Sequence, residues 1–534
     1  MNNFRFILFF TIFLFLGMGN STAEESSFES ALQLLTEKKF EQKSTAIEQL
    51  VASEDERTLS ILQTMLAGEL YYHKKDKQLA TIEKVEEGVE VTALLSNESL
   101  GVMKKRKLKK VSINNTLRGQ LRSAIARLSL YNKDPEKRYN AVQQMYKNLD
   151  SDSVTLLQDA LAGEKDSQVI DAMELGIAMA EVDSSEKFTR IQAIESLSGR
   201  LPPEVRNRLN ALVESETDED VKAAALKSLD AINTNLKMSE TAETLFFGLS
   251  LGSVLLLSAI GLAITFGVMG VINMAHGELM MLGAYTTYVV QLAMPNHIEY
   301  SLLVAVPAAF IVAGLVGIAI ERGVIQYLYG RPLETLLATF GISLILQQLV
   351  RTIFSPLNRS VETPEWMSGA LEINGALALT YNRLYILIFS LIVFAALLLI
   401  LKKTYLGLHV RAVSQNRQMA QAMGVRSGWV DAMTFGLGSG IAGVAGVALS
   451  QLTNVGPNLG QAYIIDSFLV VVFGGVGSLW GTLVAAMSLG VFNKLMEPWA
   501  GAVLAKILLL VLIILFIQKR PRGLFPQKGR AAEN

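Results

Sequence analysis

Apolar and polar positions along this 534-residue chain fall into two regimes. Up to about residue 240, apolar residues recur at i, i+3 and i+4 among charges, the spacing of helices that bury one face. After Lys237 the charges thin out, and apolar runs follow near 245–267, 269–292, 301–320, 334–354, 384–401, 428–450, 464–492 and 500–517. About 20 apolar residues suffice to cross a bilayer as a helix, so the second regime predicts a polytopic helical bundle. The run at 464–492 is too short for two full crossings and carries Gly474, Gly475, Gly477 and Gly481, which predicts a re-entrant hairpin or a broken helix pair.

The first regime repeats itself. Ala46-Ile47-Glu48-Gln49-Leu50 resembles Ala141-Val142-Gln143-Gln144-Met145 and Ala193-Ile194-Glu195-Ser196-Leu197. Leu62-Gln63-Thr64-Met65-Leu66-Ala67-Gly68-Glu69 recurs at the same 95-residue offset as Leu157-Gln158-Asp159-Ala160-Leu161-Ala162-Gly163-Glu164. In the third copy Leu209, Leu212 and Val213 take the apolar positions of the second helix, and 220–226 adds another helix of the same style. A helix pair of this kind cannot bury its apolar face alone, so stacked copies share one core. HEAT-like repeats are the nearest pattern. The longer first offset leaves an insertion at 78–112 whose β-branched residues (Val85, Val89, Val91, Val102, Val111) predict a few short strands.

Charge follows the same division. Residues 1–244 hold 31 Lys and Arg against 38 Asp and Glu, and the remainder 17 against 11, so the net charge of −1 is a cancellation between unlike parts. The basic residues after 245 lie at span ends and the earlier ones are outnumbered by acids, which argues against nucleic acid as a partner. The Lys104–Lys110 cluster is either a solvated face or a site for an anionic partner. With no cysteine there is no disulfide or thiolate metal site, and four scattered histidines do not suggest a metal centre. Arg5, the apolar run Phe6–Leu16 and Ser21-Thr22-Ala23 have the form of a secretory signal over 1–23, with an uncleaved anchor as the alternative. Either way, residues 24–240 are expected outside the cytoplasmic membrane.

Loops on the cytoplasmic side carry the excess of Lys and Arg. Lys402, Lys403, Arg411, Arg417 and Arg426 crowd one loop, Arg322 and Arg331 another, and Lys519, Arg520, Arg522, Lys528 and Arg530 the tail at 521–534 and its approach. The loop at 293–300 has none and is expected outside.

One apolar stretch is expensive in lipid. Residues 266–285 contain Gly267, Gly270, Gly277 and Gly283 together with Asn273, His276 and Glu278. Ionisable groups within a span face a bundle interior or a water-filled path, and interrupted segments in two halves of a transporter point to the solute site. These residues are therefore candidates for a polar path, with Asn454 and Asp466 as further members. Close helix packing through small residues is the competing explanation for the glycines. Two motif matches are set aside. Gly248-Leu249-Ser250-Leu251-Gly252 lacks the strand–turn–helix elbow that a nucleophilic serine needs. Gly438-Ser439-Gly440-Ile441-Ala442-Gly443 lacks a βαβ unit, and no P-loop pattern occurs. The basic loop at 407–425 reads as a short polar helix whose apolar spots, Val413, Met419, Ala420 and Met423, either dock a partner or cover the end of the bundle.

Three stretches, GVMGVINMAHGELMMLGAY (267–285), GLHVRAVSQNRQMAQAMGV (407–425) and FGGVGSLWGTLVAAMSLGV (473–491), together resemble permease subunits of the branched-chain amino acid and urea ABC importers. The resemblance covers about 243–525. It leans to the urea type through the signal-led extension and QLTNVGPNLGQAYIIDSFLVVVFGGVGSLWGT (451–482), while Leu408 and His409 depart from the usual start of the loop. It implies an all-α inner-membrane permease domain over 241–520 behind a periplasmic repeat domain. The implied partners are a second permease subunit, two cytoplasmic ATPase subunits and a periplasmic solute-binding protein, in contact with the lipid bilayer. The chain itself would bind no cofactor or metal and catalyse nothing, ATP being used by the ATPases. Gly407, Arg411, Ala412, Asn416, Arg417, Ala420 and Gly424 would belong to the coupling loop. Urea or a short amide is the expected solute. A branched-chain amino acid permease, a membrane-embedded sensor and an intramembrane protease using Ser250 are the alternatives.

Overall fold

The computed structural model describes residues 28–526 apart from 54, 56, 86, 87, 96, 97, 148 and 150. The expected signal segment 1–23 and the end of the tail, 527–534, lie outside the described residues. The chain divides into two compact units between Asn235 and Leu236.

In the first unit, helices α1 (Phe40–Ala52) and α2 (Arg57–Ala67), α4 (Pro135–Met145) and α5 (Ser151–Leu161), and α7 (Lys187–Ser196) and α8 (Pro203–Ser215) stand where the three repeats predict pairs. A third helix follows each pair: α3 (Asn115–Ser129), α6 (Ser167–Glu181) and the start of α9 (Glu219–Met269). The third helices keep the apolar periodicity but not the residue identities, so comparing the chain with itself missed the first two, while the one near 220 was read from its style. Their starts are local chemistry. The Asn114 side chain accepts from Leu117 N at 2.8 Å, and Asp166 from Gln168 N and Val169 N. The core of the first copy joins Ala46, Ile47, Leu50, Leu62 and Met65 to Leu117 and Leu121.

The insertion is a five-stranded antiparallel sheet in the order β4-β3-β2-β1-β5. Its strands are β1 (Tyr71–His73), β2 (Leu79–Val85), β3 (Gly88–Ala93), β4 (Ser99–Met103) and β5 (Leu108–Lys110). It starts earlier than the sequence suggests because Tyr71 and Tyr72 bridge Lys110 and Lys109 on one side and Ala80 and Leu79 on the other. Tyr72, Leu79 and Val111 join the helical core, fastening the sheet to α1–α3. Within the second repeat, Arg138 holds Glu164 through two hydrogen bonds of 2.6 and 2.8 Å, and Glu164 also accepts from Lys165 N and Asp166 N.

The second unit contains α10 (His276–Ala293), α11 (Ile298–Gly323), α12 (Pro332–Phe354), α13 (Tyr381–Lys403), α14 (Tyr405–Gln415), α15 (Arg417–Ala422), α16 (Ser427–Ser450), α17 (Leu459–Gly474) and α18 (Leu479–Lys519). Among the described residues, six helices are long and apolar enough to cross a membrane. Helix α9 is assigned as one element over 219–269, where the sequence suggested a helix near 220 and a span from 245. The expected hairpin at 464–492 is α17 and the first part of α18 joined by 475–478, and α18 bends at Gly501 (φ 77°). A β-hairpin, β6 (Ala370–Asn374) and β7 (Leu377–Thr380), stands between α12 and α13. Its two-residue turn is Gly375-Ala376, with Asn374 paired to Leu377.

Helix α16 is the hub, and glycine makes it one. A Cβ on Gly443 would meet Ala309 O at 2.5 Å, one on Gly438 would meet Gly261 O at 2.7 Å, and one on Gly440 the Phe310 ring at 2.7 Å. Without a hydrophobic drive between helices in lipid, such backbone approach supplies the packing energy. Gly443→Leu should therefore cost roughly 3 kcal/mol or more and collapse the monodisperse yield in fluorescence-detected size exclusion. Gly341→Leu, at a helical site with open space, should leave that yield unchanged.

The Arg138 guanidinium beside Glu164 holds its carboxyl down at about 2. A depressed carboxylate stabilises above its unfolded pKa, roughly 4.3, and that stabilisation fades as pH falls toward the folded value. Glu164→Gln should thus speed amide exchange in α4–α6 at pH 7, and the difference from wild type should shrink between pH 5 and 3, read by hydrogen–deuterium exchange.

Candidate functional site

The stretch 266–285 contains a real break. Helix α9 closes at Met269, Gly270 adopts φ 66°, residues 270–275 are non-helical, and α10 restarts at His276. Asn273 turns the chain into α10 by accepting from Ala275 N at 3.0 Å. Helix α12 supports the break from outside: Met274 N donates to Thr339 Oγ1 at 3.1 Å, and Thr339 Oγ1 donates to Ile272 O at 3.3 Å.

The same helix holds the buried carboxylate. Thr335, Thr339, Ser343 and Gln347 recur every four residues and are buried, which makes a polar ladder along one face of α12. Ser343 Oγ donates to Glu278 Oε1 at 3.1 Å, and Gln347 Nε2 donates to the same oxygen at 2.7 Å. Glu278 is in the first turn of α10, where the helix dipole favours a negative charge. His276 Nε2 lies 2.8 Å from Ser258 O. A carbonyl only accepts, so Nε2 carries the proton and Nδ1 is left as an acceptor. Four buried atoms here, Asn273 Nδ2, His276 Nδ1, Glu278 Oε2 and Tyr285 Oη, have no hydrogen-bond partner among the described residues. Each such atom in an apolar interior costs about 1–3 kcal/mol. Together they offer a donor, an acceptor, an anion and a hydroxyl.

The other predicted members are placed differently. Asn454 is exposed in the turn after α16. Asp466 on α17 is ion-paired with Lys506 of α18 at 3.0 Å, so it ties two helices together. Among the described residues no hydrogen bond or ion pair joins either to the Glu278 network. Of the eight glycines of the two predicted broken segments, only Gly270, Gly475 and Gly477 take positive φ. Gly267, Gly277, Gly283, Gly474 and Gly481 are helical and pack against Gly477, Gly460, Gly443, Gly481 and Gly474 respectively. For these five, close packing replaces the expectation of broken backbone.

The basic loop folds back on its own bundle. A Cβ at Gly407 would run into the Leu401 backbone, and Arg411 bonds Leu401 O. Asn416 caps α15 by accepting from Met419 N at 2.9 Å, and Gly424 ends it with φ 89°. The apolar spots divide: Val413 and Ala420 are buried with Val410 and Val430, with Ala412 packed against them, whereas Met419 and Met423 are exposed. Arg417 is ion-paired with Asp431, which is buried in α16. Tyr329 Oη donates to Asp431 Oδ1 at 3.2 Å while its ring lies 3.9 Å beneath the Arg417 guanidinium.

The sequence reading missed Thr339, Ser343, Gln347, Tyr329 and Asp431. The four-residue spacing of polar side chains inside an apolar span was the available signal for the first three. The rejected motifs stay rejected. Ser250 Oγ is buried in α9 without a histidine partner, because His276 turns to Ser258, and Gly438 packs on Gly261. Among the described residues no group of three or more His, Asp or Glu could hold a metal ion.

Six long apolar helices around a buried polar seam define a polytopic helical membrane protein. Residues 244–517 match the family described as branched-chain amino acid transport system, permease component, and the chain belongs to it. The high-affinity branched-chain amino acid transport system permease protein LivH of Salmonella typhimurium is 31% identical over 293 residues, covering 53% of this chain and 94% of that protein. The corresponding permease protein BraD of Pseudomonas aeruginosa is 30% identical, covering 52% and 93%. The ribose import permease protein RbsC of Haemophilus influenzae is 30% identical over 110 residues, 19% of this chain and 34% of that protein. No solved structure matches. The chain is thus a multi-pass inner-membrane permease component, and the family match leaves the unit before residue 244 outside it.

Glu278→Gln retains an oxygen for Gln347 and Ser343, whereas Glu278→Leu strands both donors. The first should purify like wild type, and the second should lose about 2 kcal/mol, seen as a lower melting temperature in a detergent-based thermal-shift assay.

Proposed function

We propose that this chain is a membrane-spanning subunit of an ATP-driven importer for urea or a short amide, working by alternating access. The observation that carries the proposal is the set of unpartnered polar atoms at Asn273, His276 and Glu278 beside the α9–α10 break. Urea is neutral and presents two N–H-bearing ends and one carbonyl. Acceptors at Glu278 Oε2 and His276 Nδ1 and a donor at Asn273 Nδ2 match that inventory. ATP would be hydrolysed on two partner ATPases, with a second permease subunit and a solute-binding protein completing the importer. The first unit would be a HEAT-like repeat domain on the periplasmic side. A branched-chain amino acid as solute is the second reading, favoured by what the names of LivH and BraD state. A zwitterion needs an anion and a cation, and Arg351 stands one turn beyond Gln347 on the α12 ladder that holds Glu278.

Coupling is assigned to 407–425. The exposed Met419 and Met423 suit an apolar groove on an ATPase, and Arg417–Asp431 transmits the loop's movement to α16.

Uptake of labelled urea and labelled leucine by cells with and without the gene separates the two solutes; urea uptake that requires the gene supports the first reading, and leucine uptake alone replaces it. Glu278→Gln should lower uptake about tenfold, the worth of one lost hydrogen bond, with assembly intact. Asp431→Asn should leave ATP hydrolysis by the assembled importer in place and depress transport per ATP. An unchanged transport-to-hydrolysis ratio would remove the loop's assigned role.

A further inference from the structure

Two non-helical segments meet at the outer end of the polar seam. One is 355–364, after α12, and the other is 451–458, between α16 and α17. They are joined by an antiparallel bridge, in which Arg359 N donates to Val455 O at 2.7 Å and Val455 N to Arg359 O at 2.8 Å. Val455 is fully buried there, in one core with Leu279, Tyr285 and Val350. Tyr285 lies two turns of α10 outward of Glu278, and its ring meets that of Phe354, the last residue of α12, at 4.8 Å. Arg351, one turn beyond Gln347, bonds Asn458 Oδ1 at 2.7 Å. By the distribution of Lys and Arg these are the external ends of the helices, so the bridge and the ring pair stand between Glu278 and the outside.

The first segment is held under strain. Ser355 has φ 78° and ψ 156°, a conformation that belongs to glycine. Pro356 accounts for the extended ψ but not for the positive φ. Another residue stays there only when its surroundings hold it. Besides the bridge, Arg359 Nη2 donates to Phe354 O at 3.0 Å. At the far end Gln291 of α10 donates to Glu362 O at 2.8 Å and accepts from Glu362 N at 2.9 Å. Tyr285 Oη and Arg359 Nε are buried here without a partner among the described residues, and entering water would satisfy both. Backbone strain and unmet hydrogen bonds thus oppose the closed arrangement, while the two hydrogen bonds of the bridge oppose opening.

We infer that 355–361 is the external gate of the seam, hinged at Ser355, anchored at Glu362 and latched by the Arg359–Val455 bridge. Closed, as in this structure, it shuts the polar atoms around Glu278 from the outside. Opening lets Ser355 relax to negative φ and admits water to Tyr285 and Arg359. The gate's part in uptake rests on the transport reading above; its opening does not.

The natural chain has no cysteine, so introduced thiols report alone. Val455→Cys puts a thiol of similar size under the gate, and its rate of labelling by a membrane-impermeant maleimide on intact cells measures opening. Ser355→Gly in that background removes the strain of the closed form and leaves the bridge. It should slow labelling about fivefold, allowing for glycine's greater freedom when open. Leu357→Cys, at a position 69% exposed, should label at one rate with and without Ser355→Gly. Unchanged or faster labelling of Val455→Cys after Ser355→Gly, or labelling only after permeabilisation, would overturn the gate.

Asn358 and Gly456 are opposed beside the bridge, where a Cβ on Gly456 would lie 3.1 Å from Asn358 Cγ. Asn358→Cys with Gly456→Cys is therefore within reach of a disulfide. Oxidation should abolish gene-dependent uptake of urea or leucine, and reduction should restore it; undiminished uptake by the cross-linked chain would also overturn the gate. Absence of gene-dependent uptake of either solute, beside the expected slowing of labelling, would count against the transport reading and support the gate.

Discussion

The membrane unit depends on backbone meeting backbone along α16. Gly436, Gly438, Gly440, Gly443 and Gly446 let α9, α10 and α11 approach until main-chain atoms touch. Side chains of ordinary size would hold these helices about 8–10 Å apart, and in lipid no hydrophobic force would draw them together. Dispersion and weak contacts between closely packed backbones must do it, and they fall off steeply with distance. That is why the seam tolerates so little. Gly446 faces Met280 O, Gly283 faces Gly443, and Gly277 faces Gly460, so α10 is clamped along its length between α16 and α17.

The clamp explains how a carboxylate survives at that depth. Glu278 cannot swing to the membrane surface, because Gly277 fixes its backbone against Gly460, and it cannot reorient, because Gln347 and Ser343 hold Oε1. One oxygen is satisfied and the other is left over. Rigid glycine packing creates the unsatisfied atom by denying the chain any way to relax it, so the structural and the chemical uses of these glycines are one property. The break at 270–275 follows the same logic. Its exposed backbone groups are taken up by Thr339 and Asn273 rather than by lipid.

How much was visible in the sequence depended on whether a feature is local. Span positions, helix pairs and the strand-forming insertion are written in periodicity and composition, and they were read close to where they occur. The break was legible because Gly270, Asn273, His276 and Glu278 are neighbours in the chain. Its support was not, since Ser343 and Gln347 are 65 and 69 residues from Glu278. Ser and Gln inside a span carry no label until a partner is known. Glycine was ambiguous for the opposite reason: a helical glycine at a backbone crossing and a glycine at positive φ are the same letter. Gly474 and Gly475 are adjacent, yet one packs on Gly481 and the other breaks the helix at φ 102°. Ala420 was open in the same way between a partner's groove and the end of the bundle, and it is buried in the bundle.

Arg417 and Asp431 connect the two ends of this arrangement. Coupling between distant sites needs an element that both sites bias, and a close-packed helix has few ways to move except as a body. Asp431 is in the first turns of α16, four to five residues before the glycine run begins at Gly436. A pull on Arg417 acts on that helix end through a buried ion pair braced by Tyr329. Because Gly443 and Gly446 touch α10 at backbone distance, α16 cannot shift without shifting the helix that carries Glu278. The tight seam is therefore the obstacle to local relaxation, and under the proposed coupling it would also carry a movement of the basic loop to the polar atoms at the break.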